Sequence, residues 1–259
     1  KNLMKASISF VVPVYNEEKR LNYFFLKIKN INYFCKYHKI NEIIFVDDGS
    51  TDKTNSIIKK YKNNNLKVKI IYTKHVGMMN AIFAGINQAN SDYIVTLEAD
   101  VPVEIKEIFN IITKYNDENY DILIGSRYKK FLPKDVPIVR RLVSKSFLFL
   151  YNLFYNINVS DPQIGFKIIK KNKFQNISKK IDINHDGLKS TQLVLLFYMH
   201  NYKILDIPVN YTYKPDSKNF NIKNFINTLT SNFLAFIELF VKTKKKLVTS
   251  KLKSPFRFK

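Results

Sequence analysis

Short apolar runs recur along the first half of the chain at ISFVVPVY (8–15), EIIFVDD (42–48), VKIIYT (68–73), YIVTLEAD (93–100) and DILIGS (121–126). Most are near-continuous and rich in β-branched and aromatic residues, which predicts strands buried on both faces. Helix-compatible segments lie between them at roughly 17–37, 52–62, 77–89 and 104–116. Asp52, following the turn GST, is the expected N-cap of the second of these. Such alternation implies right-handed βαβ crossovers. The expected fold is therefore α/β, a doubly wound and mostly parallel sheet.

After residue 126 the rhythm changes. A helix that begins basic and turns aromatic is expected over 136–157, then a turn holding Pro162 and Gly165 and a short strand at 165–170. A helix near 188–200 and a strand at 204–213 follow. Last comes an amphipathic helix at 221–241, where Ile222, Ile226, Leu229, Phe233, Ile237 and Phe240 recur at helical spacing before KTKKK (242–246). With no internal repeat and no linker, the expected organisation is one domain over 1–218. An amphipathic, membrane-interfacial helix and basic tail complete the chain over 219–259. The longest apolar runs, FLFLYNLFYNI (147–157) and FLAFIELFV (233–241), reach about half of the roughly 20 residues a span requires. No N-terminal stretch has a signal peptide's make-up. The expectation is a cytoplasmic chain, peripheral on the cytoplasmic face of a membrane.

Charge narrows the partners. The 259 residues carry 43 Lys and Arg against 21 Asp and Glu, a formal net charge of +22. That excess favours nucleic acid, anionic lipid or phosphorylated ligands, although stretches such as KKYKNNNLKVK and KKNKFQNISKK show that part of it is a general Lys and Asn bias. No nucleic-acid module is recognisable, so an anionic membrane surface and phosphorylated ligands are the expected partners and nucleic acid is not. The single cysteine, Cys35, excludes an internal disulfide framework.

In doubly wound sheets ligands sit beyond the carboxyl ends of the strands. There the polar residues collect: Tyr15, Asn16 and Glu17, then Asp47 and Asp48, then Glu98 and Asp100. Glu98 and Asp100 flank Ala99 at the mouth of a buried strand, where two carboxylates repel each other. Either they cap a turn, or a cation sits between them. No GxxxxGK[ST] loop and no GxGxxG after the first strand is present, and six glycines cannot supply a phosphate cradle. A metal on Glu98 and Asp100 is the natural substitute. Hard oxygen ligands suit Mg²⁺ or Mn²⁺, which then neutralise a diphosphate.

VVPVYNEE (11–18), FVDDGSTDKT (45–54), LEAD (97–100), GSRY (125–128) and SDPQIGFKI (160–168) occur in order and at suitable spacing. Together, over about residues 8–218, they resemble the family 2 glycosyltransferases of the GT-A fold, and within them the dolichyl-phosphate glucose and mannose synthases. The resemblance implies inverting, metal-dependent transfer of one glucose or mannose from a nucleoside diphosphate sugar to a polyprenyl phosphate, with Mg or Mn as cofactor. It also implies roles. Pro13, Tyr15 and Glu17 would line the nucleoside pocket, with Asp48 reaching the base, and Glu98 and Asp100 would stand in the DxD metal motif. Arg127 would face the acceptor phosphate, Asp100 and Arg127 being the catalytic pair. Arg140 and Ser144 match an R-x-x-x-S pattern that holds the same phosphate. Lys214 and Ser217–Lys218 take the place of a basic loop closing over the nucleotide. One helical turn apart, Arg140 and Ser144 share a face and offer a cation and a hydroxyl to one oxyanion. A phosphate monoester is already ionised near neutral pH, so no catalytic base is expected and positioning dominates.

Three positions depart from the family pattern. Glu98 stands where Asp is usual, Met79 where a second glycine is expected, and Gln192 near a usual Glu. Two alternatives stay open: transfer to a glycan hydroxyl, with Asp161 as the candidate base, and a nucleotide-sugar or lipid-binding module without turnover. His75, His185 and His200 have no ligand spacing and are expected at the surface or in packing.

Overall fold

The computed structural model describes residues 7–29, 31–35, 38–61, 66–115, 118–129, 138–212, 222–249 and 252–256, the side chains at 32, 138–140, 143, 222–229 and 232 excepted. Strands β1 (Ser7–Val14), β2 (Lys39–Asp47), β3 (Lys67–Tyr72), β4 (Tyr93–Thr96), β5 (Ile122–Ser126), β6 (Lys167–Lys170) and β7 (Ile204–Pro208) form one sheet in the order β3-β2-β1-β4-β6-β5-β7. All pairings are parallel except those of β6, which runs against β4 and β5. The apolar runs of β1 and β2 are buried almost throughout, as near-continuous strands between helical layers must be.

The helices are α1 (Glu18–Ile28), α2 (Ile31–Phe34), α3 (Thr54–Lys60), α4 (Met78–Gln88), α5 (Ile105–Lys114), α6 (Ile138–Phe154), α7 (Lys171–Ser178), α8 (Asp186–Met199) and α9 (Ile222–Thr249). Chain order moves outward from β1 to β3, then crosses back over β1 to β4. The order of strands therefore reverses between β1 and β4, and a crevice opens beyond their carboxyl ends.

Several expectations change in detail. The helix expected over 17–37 is two, α1 and α2, with Ile28 and Ile31 both buried at the break. α3 starts at Thr54, so Asp52 is not its N-cap, yet its Oδ1 still accepts the Thr54 amide at 2.9 Å. β4 stops at Thr96, short of residue 100. The chain then turns, Val101 N donating to Glu98 O at 3.0 Å with Val101 at φ 48, so both acids ride on a tight turn beyond the sheet. A β-branched residue at positive φ is strained, and that strain sits beside the two acids. α7, not among the expected helices, is two turns long and buries only Phe174 and Ile177, at i,i+3 spacing. β7 ends at Pro208, which cannot donate to a further ladder. The final helix absorbs KTKKK and runs to Thr249, helped by the Glu238–Lys242 pair at 2.6 Å and i,i+4 spacing.

α6 and α9 lie against each other through Phe147–Phe236, Phe154–Phe236 and Phe154–Phe240 ring contacts. Ala235, Phe236 and Leu239 belong to the same buried core as the sheet. Among the described residues no helix is long and apolar enough to cross a membrane.

Candidate active site

Two motifs are laced together at the crevice. Asn16, at φ 54, takes the Thr51 amide on its Oδ1 at 2.9 Å and donates its own amide to Ser50 Oγ at 3.0 Å. Glu17 N donates to Thr54 Oγ1 at 2.7 Å, Glu18 N to Asp52 Oδ2 at 3.2 Å, and Lys53 N to Glu18 Oε2 at 3.1 Å. Asp47 closes the turn by accepting Ser50 N at 2.9 Å, and Gly49 supplies the φ of 83 that the turn needs. Thus Asn16, Glu18, Asp47, Asp52 and Thr54 build the frame. Tyr15, Glu17 and Asp48 are left facing the crevice.

A cavity of about 390 Å³ opens there, lined by Pro13, Val14, Tyr15, Glu17, Arg20, Asp48, His75, Gly77, Met78, Glu98, Ala99, Asp100 and Tyr211. Six of the residues expected to bind nucleotide or metal, Pro13, Tyr15, Glu17, Asp48, Glu98 and Asp100, therefore share one chamber. Lys214 and Lys218 lie outside the described residues, as does the Arg140 side chain. Ser144 sits half-buried on α6.

Electrostatics give the chamber its character. Among the described residues four carboxylates and one guanidinium line it, although the whole chain carries +22. Burial raises the pKa of Glu17, the Arg20 guanidinium 3.1 Å away opposes this, and the charge on Asp100 raises it further. This excess of negative charge calls for a cation. Glu98 and Asp100 offer the hard oxygen ligands that Mg²⁺ or Mn²⁺ takes, so the donor set fits such an ion. Among the described residues no three Asp, Glu, His or Cys side chains converge as a metal site. Two carboxylates completed by substrate phosphates is how Mg²⁺ is commonly bound.

Gly165 makes room for this arrangement. A Cβ at 165 would overlap Glu98 Oε1 and lie 2.8 Å from Glu98 Cδ. Gly165→Ala is expected to push Glu98 aside and weaken Mn²⁺ binding about tenfold or more, as lost support of a ligand does. Titrating Mn²⁺ by electron paramagnetic resonance, with a nucleoside diphosphate present, measures this; native affinity would show that Glu98 is not a ligand.

Asp48, expected to reach the base, lines the chamber and also accepts donors from the segment after β3. Its Oδ1 accepts Val76 N at 2.7 Å and Thr73 Oγ1 at 2.6 Å, while Oδ2 accepts Gly77 N at 2.9 Å. Its carboxylate therefore fixes the segment after β3, which brings His75 over Tyr15 with ring centroids 4.3 Å apart. His75 was expected to be a bystander, and lone histidines without ligand spacing carry no signal in sequence. Arg20, Met78 and Tyr211 were likewise missed. Arg20 could have been found as the i+3 partner of Glu17 on α1.

Arg127 and Asp161 form a bidentate pair: Nε to Oδ2 at 2.7 Å and one Nη to Oδ1 at 2.9 Å, with Arg127 N adding a contact to Oδ2 at 3.2 Å. Burial pushes the guanidinium pKa down, but the Asp161 bonds and charge outweigh that and hold it above its ordinary value. The rings of Tyr128 and Tyr211 lie 5.6 and 5.3 Å from it. Arg127 therefore reaches an acceptor only with the N–H groups left on its outer edge. Asp161 is 1% exposed, with both oxygens engaged, which makes it a poor candidate for a base that takes a proton from a sugar hydroxyl.

Beneath the site Lys167 is buried on β6, its Nζ donating to Ile164 O and, at 2.7 Å, to Ser190 Oγ. Thr96 Oγ1 donates to Gly165 O. Lys167 and Thr96 thereby hold the 161–165 loop that seats both Asp161 and Gly165. Burial drives the Lys167 pKa down; Asp161 pulls it up, Arg127 pushes it down and Glu98 pulls it up, leaving it at about 7. Between pH 7 and the ordinary lysine range near 10.5 the unfolded chain binds more protons than the folded one, so stability rises with pH there. Below pH 7 the term is flat. Urea unfolding at pH 7, 8 and 9 is expected to show a slope of up to about 1.4 kcal/mol per pH unit that Lys167→Met lacks. Parallel profiles for the two proteins would refute the buried, easily neutralised amine.

Gln192, the third departure, is buried. Its Oε1 accepts the amides of Asp182 and Ile183 at 2.9 and 3.1 Å, and its Nε2 donates to Asp182 Oδ1 at 2.6 Å. An amide suits this position because it donates and accepts at once.

Residues 9–178 match the model described as Glycosyl transferase family 2. The chain is 28% identical over 212 residues to a dolichol-phosphate mannosyltransferase of Pyrococcus furiosus, covering 79% of this chain and 56% of that one. It is 28% identical over 171 residues to a prophage bactoprenol glucosyl transferase homolog of Escherichia coli, covering 66% and 54% respectively. The chain thus spans little more than half the length of these two relatives. In fold it resembles a mannosyltransferase from Pyrobaculum calidifontis solved with GDP-Man and Mn²⁺, with a TM-score of 0.60 and 16% identity over 98% of this chain and 68% of that one.

Proposed function

The chain belongs to glycosyl transferase family 2, and from that premise we propose that it moves one sugar, glucose or mannose, from a nucleoside diphosphate to a polyprenyl phosphate. The observation that carries the reading is the chamber at the β1–β4 switch point, where Tyr15, Glu17, Asp48, Glu98 and Asp100 line one cavity. The two relatives, named for dolichol phosphate and bactoprenol, support the lipid acceptor.

Glu98 and Asp100 would hold Mg²⁺ or Mn²⁺, which supplies Lewis-acid stabilisation of the departing diphosphate. The chain's own residues do the rest. Tyr15 and His75, their rings tilted against each other, offer aromatic surface to the nucleoside, and Asp48 keeps His75 in place. A phosphate oxygen of the acceptor forms the new bond to the anomeric carbon as the bond to the donor diphosphate breaks on the opposite face, inverting the centre. The outer edge of Arg127 steers that phosphate, with Arg140 and Ser144 of α6 as its further partners. No residue takes a proton from the nucleophile, because a phosphate monoester is already ionised.

The acceptor comes from a membrane, and α6 and α9 are suited to meet one. Leu142 and Phe149 on α6 and Phe233, Leu234, Ile237 and Val241 on α9 are exposed, beside exposed Lys145, Lys244 and Lys245. An apolar face with a lysine rim fits the headgroup boundary of an anionic bilayer. In this reading residues 1–218 carry the transfer and 219–259 add the interfacial helix and basic tail.

The test is a grid of UDP-glucose, GDP-mannose and UDP-N-acetylglucosamine, each with polyprenyl phosphate and Mn²⁺ or Mg²⁺. Glycosylated lipid phosphate in a glucose or mannose cell is the expected result. An empty grid from a folded protein that binds one of the donors would overturn the enzyme reading in favour of a binding module.

A further inference from the structure

The wall of the chamber after β3 is gripped from two sides by carboxylates far apart in sequence. Asp48 takes the amides of Val76 and Gly77. Asp186, the first residue of α8, reaches across with Oδ2 to accept Met79 N at 3.1 Å. Gly77 is the N-cap of α4, at φ 93 and ψ 155. A glycine has no side-chain oxygen for the second amide of its helix, the bond that Ser or Asp makes at that position. Asp186 provides that oxygen from another helix. Its carboxyl occupies the space of the missing side chain, since a Cβ on Gly77 would lie 2.7 Å from Asp186 Cγ and 2.9 Å from Oδ1. The two residues therefore fit as a unit. The other oxygen, Oδ1, is buried and faces the Lys189 ammonium at 3.6 Å. Asp186 thus places one negative charge at the N-termini of two helices at once, α4 and α8, where it is favoured.

His75, Gly77 and Met78 of this segment all line the chamber, and the His75 ring lies tilted against that of Tyr15. We infer that Asp186 is a positioning residue for the nucleotide donor: it caps α4 in trans and holds the 75–79 wall in its binding shape. The inference rests on the reading of the chamber as the donor site. Without the cap, a segment hinged on a positive-φ glycine samples other conformations, and binding must order it again. The acceptor side, built on Arg127 and α6, makes no contact with this segment in the bonds described above.

Calorimetry of UDP and GDP with Mn²⁺ on the full chain, with hydrogen exchange of the Val76–Met79 amides, provides the test. D186A is expected to raise the nucleotide dissociation constant about tenfold and to speed exchange at these amides. The KM for polyprenyl phosphate should stay within about twofold of wild type. D186N keeps an acceptor oxygen without the charge, and is expected to lie between the two and to remain folded if D186A does not. Native nucleotide affinity and native exchange in a folded variant overturn the inference, as does a lower melting temperature with affinity unchanged. If the wild-type chain binds neither nucleotide, the donor reading of the chamber fails first, and the inference falls with it.

Discussion

Asp100→Asn is expected to lower turnover about a thousand-fold, equivalent to about 4 kcal/mol of barrier, while the melting temperature without metal is unchanged or higher. The two halves of this expectation come from one cause. Among the described residues Asp100 shares the chamber with Glu17, Asp48 and Glu98 against the one guanidinium of Arg20, and its charge already raises the Glu17 pKa. Removing one negative charge relieves that repulsion in the free protein. With donor diphosphate present the same change removes half of the carboxylate pair proposed to hold the cation. If Asp100 merely capped the turn after β4, the outcome would reverse, with about 1 kcal/mol of stability lost and turnover kept. Steady-state rates, Mn²⁺ titration and thermal melts on one preparation separate the two.

Asp161→Asn is expected to cost about 3–5 kcal/mol of stability, because it leaves the Arg127 guanidinium buried without its counter-charge. For a chain of this size the melting temperature should fall by roughly 6–20 °C. Two short bonds, at 2.7 and 2.9 Å, and a carboxylate 1% exposed make this the most costly single pair to break in the site. Replacing both partners by apolar residues, Arg127→Met with Asp161→Leu, is expected to recover much of the stability, since the desolvation cost of the pair vanishes with it. Turnover on lipid phosphate should not recover, as no guanidinium remains to steer the acceptor. A stable Asp161→Asn protein that has lost only transfer to a sugar hydroxyl would point to Asp161 as a base.

Much of the site was legible because its motifs are local. In PVYNEE and DDGSTDKT, frame residues and chamber residues stand side by side, so finding the motifs finds both. Their roles were less legible. Asp48 is expected to reach the base, but only the approach of residues 73–77 reveals the second task of its two oxygens, holding that segment. Arg127 and Asp161 were assigned to different reactions, although they bond each other. Gly165 looked like a turn glycine, yet it clears space for Glu98. The end of β4 was misplaced because Leu97 and Ala99 extend the apolar run, while the turn closed by Val101 N–H donating to Glu98 O depends on backbone strain that composition does not encode.

By itself the sequence determined the strand–helix alternation, the edge of the sheet where acids gather, and the pairing of Glu98 with Asp100. These follow from periodicity and strand direction, which are set by which faces are buried over a few residues at a time. The tertiary structure alone decided which oxygen meets which donor: Asp48 on the 76–77 amides, Asp186 on Met79, Asp161 on Arg127. Those contacts join residues 28 to 107 positions apart, and they depend on how the layers pack, to a fraction of an ångström.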